Sequence, residues 1–197
     1  MKKFLRLSAL VMILLTGCAS QKQELNIAEE DLPYGATMRS NKTSYTVPMT
    51  YDRRFVNESQ VKAVADYLGA VQNNDPDLFA SAALPLYMNY QIQEVYHYED
   101  TANLVDVLHS GIASQTGEDF QFDMILITDY SQANNGGLKA MTDLLSNLDS
   151  QFSDSVQGAW EFTLEWELSY DNGQKNGMTE DQHLYLFQIE DQYYCCM

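Results

Sequence analysis

The chain has 197 residues, with 11 Lys and Arg against 28 Asp and Glu, 45% apolar residues and 12% aromatic ones. Without residues 1–17 and their three cations, 8 basic and 28 acidic side chains remain, a net charge of −20 that excludes a nucleic-acid surface and charge-driven adsorption to anionic lipid. The apolar content excludes a disordered acidic tail, and about 180 residues suffice for one domain with a sizeable core.

Lys2, Lys3 and Arg6 precede an apolar run from Leu7 to Leu15. That run is too short for a bilayer, which takes about 20 apolar residues. Leu15-Thr16-Gly17-Cys18 then resembles the lipobox of bacterial lipoproteins. The resemblance implies a signal peptide over residues 1–17, cleavage before Cys18, diacylglycerol on the Cys18 thiol and often a further acyl chain, such as palmitate, on the new amino group. Two chains at one residue give stable anchoring where a single chain does not, at about 0.8 kcal/mol per buried methylene. The implied location is extracytoplasmic, with the membrane as a partner through Cys18. Ala19, where Asp is the usual inner-membrane retention signal, points to the outer membrane if the host has two. The alternative is an ordinary secretory peptide with an incidental Cys.

Residues 18–33 are polar and poor in aromatics and reach about 50 Å when extended, so a flexible tether is expected, drawn over residues 18–36. A single domain is expected over 37–197, with its core in 57–197. Tyr45, Val47 and Met49 alternate as in a strand, and Pro48 makes that strand an edge or peripheral one. Asn57 followed by Gln60 fits a capping box opening a helix with Val61, Val64, Ala65, Leu68 and Val71 on one face. Asp75-Pro76 caps a second, short helix with Leu78, Phe79, Ala82 and Ala83, ending before Pro85. Residues 86–99 fit either a helix or a hairpin. Asp100 or Thr101 opens a third helix with Leu104, Val105, Leu108 and Ile112 on one face.

Phe120, Phe122, Met124 and Leu126 share one face of a strand ending near Asp129. Gly136-Gly137 precedes a fourth helix carrying Leu138, Met141, Leu144, Leu145 and Leu148. Trp160, Phe162, Leu164, Trp166, Leu168 and Tyr170 then share one face of a long strand, with Glu161, Thr163, Glu165, Glu167 and Ser169 on the other. Residues 171–180 read as a hairpin loop, His183 to Ile189 as the returning strand, and Tyr193 to Cys196 as a last short one. Neighbouring strand residues point to opposite faces, so Cys195 and Cys196 are expected as two separate, semi-buried thiols; a vicinal disulfide is the strained alternative.

This order predicts an α+β domain: a curved antiparallel sheet with helices packed on one face. The helix from Asn57, the Asp75-Pro76-Asp77-Leu78-Phe79 helix start and the closing hairpin with Asp191-Gln192-Tyr193-Tyr194 resemble the NTF2-like (cystatin-like) superfamily, in particular lipoproteins carrying one such domain after a tether. The resemblance implies a cone-shaped sheet. The turn at Asp191 departs from the commoner Gly-Lys-Trp pattern of that fold.

Enzymes of the NTF2-like fold use an Asp or an Asp–His pair in the cone, but none of their positions maps onto this chain. His97, His109 and His183 read as surface or boundary residues, and no hydrolase, zinc-protease or phosphate-loop motif occurs. Aligning Gly177 to the glycine of an EF-hand loop puts His183 where the bidentate acid belongs, so no metal is expected, and no other cofactor. Two features remain. Tyr87, Tyr90, Tyr96 and Tyr98, with the aromatic face of the long strand, form either the core or a ligand site, with Tyr87, Tyr90, Trp160 and Trp166 as its candidate residues. Charge is also segregated: residues 63–197 hold 22 acidic and two basic side chains. Arg39, Lys42, Arg53 and Arg54 either fold back onto acids such as Glu165 and Glu167 or stay solvated, and a basic envelope protein is the corresponding external partner.

The expected function is a lipid-anchored, non-catalytic domain binding a protein partner or small ligand; a small isomerase- or hydrolase-type enzyme in the cone is the alternative. Cys18→Ser should leave an uncleaved precursor, whereas intact mass of the wild type should show cleavage and acyl chains. A wild-type protein recovered soluble with a free Cys18 thiol would overturn the lipobox reading.

Overall fold

The structure, a computed structural model, describes residues 28–41, 44–117, 119–170 and 174–197, with the backbone alone at 174–180. The lipobox, Cys18, most of the expected tether, Lys42 and residues 171–173 of the expected loop lie outside the described residues. Two units are distinguished, Met1–Asp31 and Leu32–Met197. Of the first, a 3-10 turn over Glu29–Asp31 is described.

The second unit opens with β1 (Met38–Asn41) and β2 (Met49–Asp52), followed by α1 (Glu58–Asn73), α2 (Pro76–Ala82), α3 (Pro85–Tyr90), a π turn (Gln91–Val95) and α4 (Thr101–Thr116). Then come β3 (Gln121–Ser131), α5 (Gly136–Leu148), α6 (Phe152–Ser155), β4 (Val156–Tyr170), β5 (Gln174–Ile189) and β6 (Gln192–Cys196). The fold is α+β, with six strands ordered as in sequence in an open sheet. That sheet is mixed rather than antiparallel. β2 and β3 run parallel, Met49 opposite Ile125, because the helices between them carry the chain back along the sheet.

Local chemistry sets the helix starts. Asn57 Oδ1 accepts from Ser59 and Gln60 N–H at 3.0 Å, and Gln60 Oε1 accepts from Asn57 N–H at 2.9 Å, completing the capping box. Asp75 caps α2 through Asp77 and Leu78 N–H, with Pro76 at the first helical position. Of residues 86–99, open between two readings, 86–95 are helical through α3 and the π turn and 96–99 are irregular.

On β4 the expected alternation holds: Trp160, Phe162, Leu164, Trp166 and Leu168 are buried and the residues between them half-buried. These side chains join α1, α2 and α4 in the larger core, where Trp166 meets Phe122 edge-on at 5.6 Å. β3 departs from expectation. A bulge between Phe122 and Met124 reverses the parity, so Ile125 and Ile127 are buried where Met124 and Leu126 were expected.

The helices do not all lie on one face. α5 and α6 cover the opposite side, where Leu138, Leu145 and Phe152 pack with Leu84, Phe187 and Cys196 in a second core. Glu161, on the β4 face turned away from Trp160, accepts Leu138 N–H at 3.2 Å and so caps α5, whose N-cap Asn135 makes no side-chain cap bond. A Cβ at Gly137 would clash with Tyr185 Oη and Glu161 Oε1, so glycine permits this approach.

Other expectations shift. The strand near Pro48 begins after it, at Met49, and is interior, paired with β1 and β3. β5 starts at Gln174, so backbone that read as loop belongs to a strand. Cys195 and Cys196 are fully buried free thiols, one in each core. Burial pushes both thiols up from their ordinary range.

Residues 32–36, which composition assigns to the tether, are bonded into the second unit by Asp52 and Arg54. Asp52 is fully buried and accepts from Arg54 Nη2 at 2.6 Å, Arg54 Nε at 3.0 Å, Thr37 Oγ1 at 2.7 Å and Gly35 N–H at 2.9 Å. Arg54 also donates to the carbonyls of Leu32 at 2.7 Å and Pro33 at 2.6 Å, and its guanidinium lies over the Phe55 ring at 4.8 Å. Arg54 thus turns to Asp52, and Arg39 pairs with Glu58 at 2.6 Å; neither ion pair involves the β4 acids suggested by charge segregation.

Truncating Trp166→Ala should cost about 3–5 kcal/mol, against about 0.5 kcal/mol or less for Glu165→Ala, measured by paired denaturant melts. Equal stability of the two variants would defeat the core assignment. The Arg54 guanidinium holds the Asp52 carboxyl well below the usual carboxylate range, aided by Thr37 and Gly35 against the cost of burial. A depressed folded-state pKa stabilises above the unfolded value and is lost as pH falls through the folded one. Stability should therefore decline below about pH 4, and Asp52→Asn should flatten that decline in urea melts recorded against pH.

Candidate functional site

β6 ends the sheet, and its outer edge carries the most distinctive geometry of the surface. Between that edge and the helices α1 and α2 runs a groove of about 450 Å³. α1 contributes Ser59, Lys62, Ala63 and Asp66, spaced to fall on one helix face. α2 contributes Ala80 and Ser81 at its exposed end, and β6 contributes Gln192, Tyr193 and Tyr194 as the third wall. The helical walls are mostly small, leaving space beside the strand. Lys62 is ion-paired with Asp66, whose other oxygen accepts Thr46 Oγ1–H at 2.7 Å, so this charge is held to the wall.

The β6 edge is half covered. Ala83, between α2 and α3, forms an isolated parallel bridge with Cys195, and Leu84 N–H donates to the Cys195 carbonyl at 2.7 Å. In an antiparallel pair, residues alternate between turning both backbone groups towards the neighbour and turning both away. Cys195 faces away from β5, and so does Tyr193 two residues earlier, with its N–H and C=O towards the groove. Among the described residues no group outside the sheet bonds them.

The four candidate ligand residues are not brought together. Trp160 and Trp166 belong to the larger core, while Tyr87 packs on the smaller one across the sheet. Tyr90 lies 6.3 Å from Tyr87 between ring centroids, and Tyr96 and Tyr98 form a separate stacked pair at 5.2 Å. Tyr87 Oη donates to the Met197 carbonyl at 3.3 Å, and burial pushes the phenol up from its ordinary range. Trp160 alone relates to the groove: its ring lies 5.8 Å from that of Tyr193, which lines it.

The histidines are placed as boundary and surface residues. His109 Nδ1 donates to the Val71 carbonyl at 3.0 Å, where α1 exposes its last carbonyls, and its ring packs on Phe120 at 5.1 Å. His97 bonds the Gln93 carbonyl at 2.7 Å, and exposed His183 meets Glu161 Oε1 at 3.1 Å. A second hollow of about 520 Å³ lies beside His109, but there Asn74 Nδ2–H already donates to Asp106 at 3.2 Å. Among the described residues no cluster of three His, Cys, Asp or Glu has metal-ligand geometry, and no helix is long and apolar enough to cross a membrane.

No family model, curated protein or solved structure matches the chain. The groove residues escaped the sequence reading because an open edge is a property of strand order. The local signal was the recurrence of small residues at Ser59, Ala63, Ala80, Ser81 and Ala82 on helix segments that otherwise read as core faces.

Proposed function

We propose that this protein is a lipoprotein anchored outside the cytoplasm through Cys18, whose domain binds a protein partner in the groove beside β6 and performs no chemistry of its own. The observation that carries this reading is the outward-turned backbone of Tyr193 in a groove with small-residue walls. A protein segment can meet both backbone groups of Tyr193 at once, as an extended chain does at an open sheet edge. The sequence supports the location through the lipobox and the exclusion of nucleic acid through the net charge of −20.

The buried polar side chains favour binding over an isomerase- or hydrolase-type enzyme. Asp52, Gln60 and Thr116 are the buried polar residues among those described. Asp52 is bonded to Arg54, Gln60 closes the α1 cap, and Thr116 Oγ1–H donates to the Ile112 carbonyl at 2.9 Å. Each is used in holding backbone or charge. We further propose the NTF2-like relationship as the finer reading of the fold, supported by the Asn57 and Asp75 helix starts and the closing β5–β6 hairpin. The second helical layer is this chain's departure from a sheet covered on one side.

A photo-crosslinking residue placed at Ala80, in cells that make the protein, should give one discrete adduct larger than the monomer. The same residue at exposed Asp143, on α5 across the sheet, should give none. No adduct from position 80, or the same adducts from both positions, would reject the groove as the binding surface.

A further inference from the structure

We propose that the groove takes its partner as an added strand on β6, and that the added segment is extended and alternates apolar residues with lysine or arginine. This deepens the binding reading above and rests on it. The domain already uses this edge once, since Ala83 lies on Cys195 as a one-residue parallel bridge with Leu84 N–H on the Cys195 carbonyl. Tyr193 repeats the same outward geometry one step along, without a partner among the described residues. A strand laid there would continue the sheet, with main-chain bonds supplying affinity and alternate side chains supplying selectivity.

The walls select the residues. Every second side chain of an added strand would face α1 and α2, where Ala63, Ala80 and the Tyr193 ring present carbon between the hydroxyls of Ser59 and Ser81 and the Lys62–Asp66 pair. The others would face away from that wall, near the β5–β6 turn with exposed Glu190 and Asp191. Exposed Asp77 stands one turn before Ala80 and Ser81 on the same side of α2. Lys62, the one cation among the described lining residues, is already paired with Asp66. With 22 acids against two bases in residues 63–197, a basic segment is drawn in, whereas a second copy of this chain brings the same acidic surface and is repelled.

The test uses two fluorescein-labelled, end-capped peptides of equal length and charge, (Lys-Val)4 and (Lys-Pro)4. Proline lacks the amide proton and pairs poorly as a strand. Anisotropy titrations in about 0.15 M salt limit non-specific attraction between exposed charges. Wild-type protein should bind (Lys-Val)4 at least tenfold tighter than (Lys-Pro)4. Ala80→Trp, which fills the groove from an exposed position, should lose at least tenfold, and Glu165→Ala should change nothing. Ser81→Trp serves as a second blocker, and thermal melts check that both blockers fold. Absence of binding, equal binding of the two peptides, or unchanged binding by both folded blockers would overturn strand addition. A wild-type dimer in sedimentation that Ala80→Trp dissolves would overturn the basic partner in favour of a second copy. If position 80 still crosslinks a partner while the peptides are not distinguished, strand addition fails and the groove reading stands. If no crosslink forms, both fail.

Discussion

A strand with apolar side chains on both faces has to be covered twice, and that constraint organises this domain. In β5, Leu184 and Leu186 face one way while Tyr185, Phe187 and Ile189 face the other; in β6, Cys195 and Cys196 divide likewise. The larger core, under α1, α2 and α4, covers one side. The other needs α5, α6 and the start of α3, and α5 comes close because Gly137 has no side chain and Glu161 receives the N-terminal end of that helix. Two cores therefore share one wall, and a change in β5 or β6 is felt in both. The shared wall also leaves the outer edge of β6 as the place where the sheet stops.

Much of the α-helical framework was legible locally because caps and periodicity are short-range. Asn57 with Gln60, Asp75 with Pro76, and Asp100 each fix a helix start within a few residues, and the Trp160–Leu168 alternation fixes a face by parity. What was not legible depends on distant partners. The second layer was signalled only by the run Leu184-Tyr185-Leu186-Phe187, which lacks polar alternation and so describes a strand buried twice. The bulge after Phe122 overturned parity on β3, and a pattern of alternating residues carries no mark of an inserted one. The aromatic candidates failed as a single site for the same reason. Tyr87 and Trp160 lie on opposite sides of a sheet, and composition does not encode sides.

Arg39 and Arg54, two of the four cations ahead of α1, have local partners. Arg54 is occupied by Asp52 and by the carbonyls of Leu32 and Pro33, and Arg39 by Glu58, so these cations hold the region ahead of α1 together. Around them Tyr34, Phe55 and Tyr130 make a triangle with centroid separations of 5.4–5.8 Å, and Tyr34 Oη donates to the Ile127 carbonyl at 2.8 Å. Asp52 is the buried charge that makes this arrangement selective: a carboxylate there without Arg54 would be stranded in a site from which water is excluded.

The bridge between Ala83 and Cys195 has a kinetic side. It joins chain segments remote in sequence, as does the nearby bond from Tyr87 to Met197, 110 residues away. Helices α1 and α2 can form early from their own caps, yet their faces towards β6 stay wet until that strand arrives. Loop closure on this scale is slow, because its entropy is lost before the contacts form. By this argument the outer edge of β6 is among the last surfaces to be built.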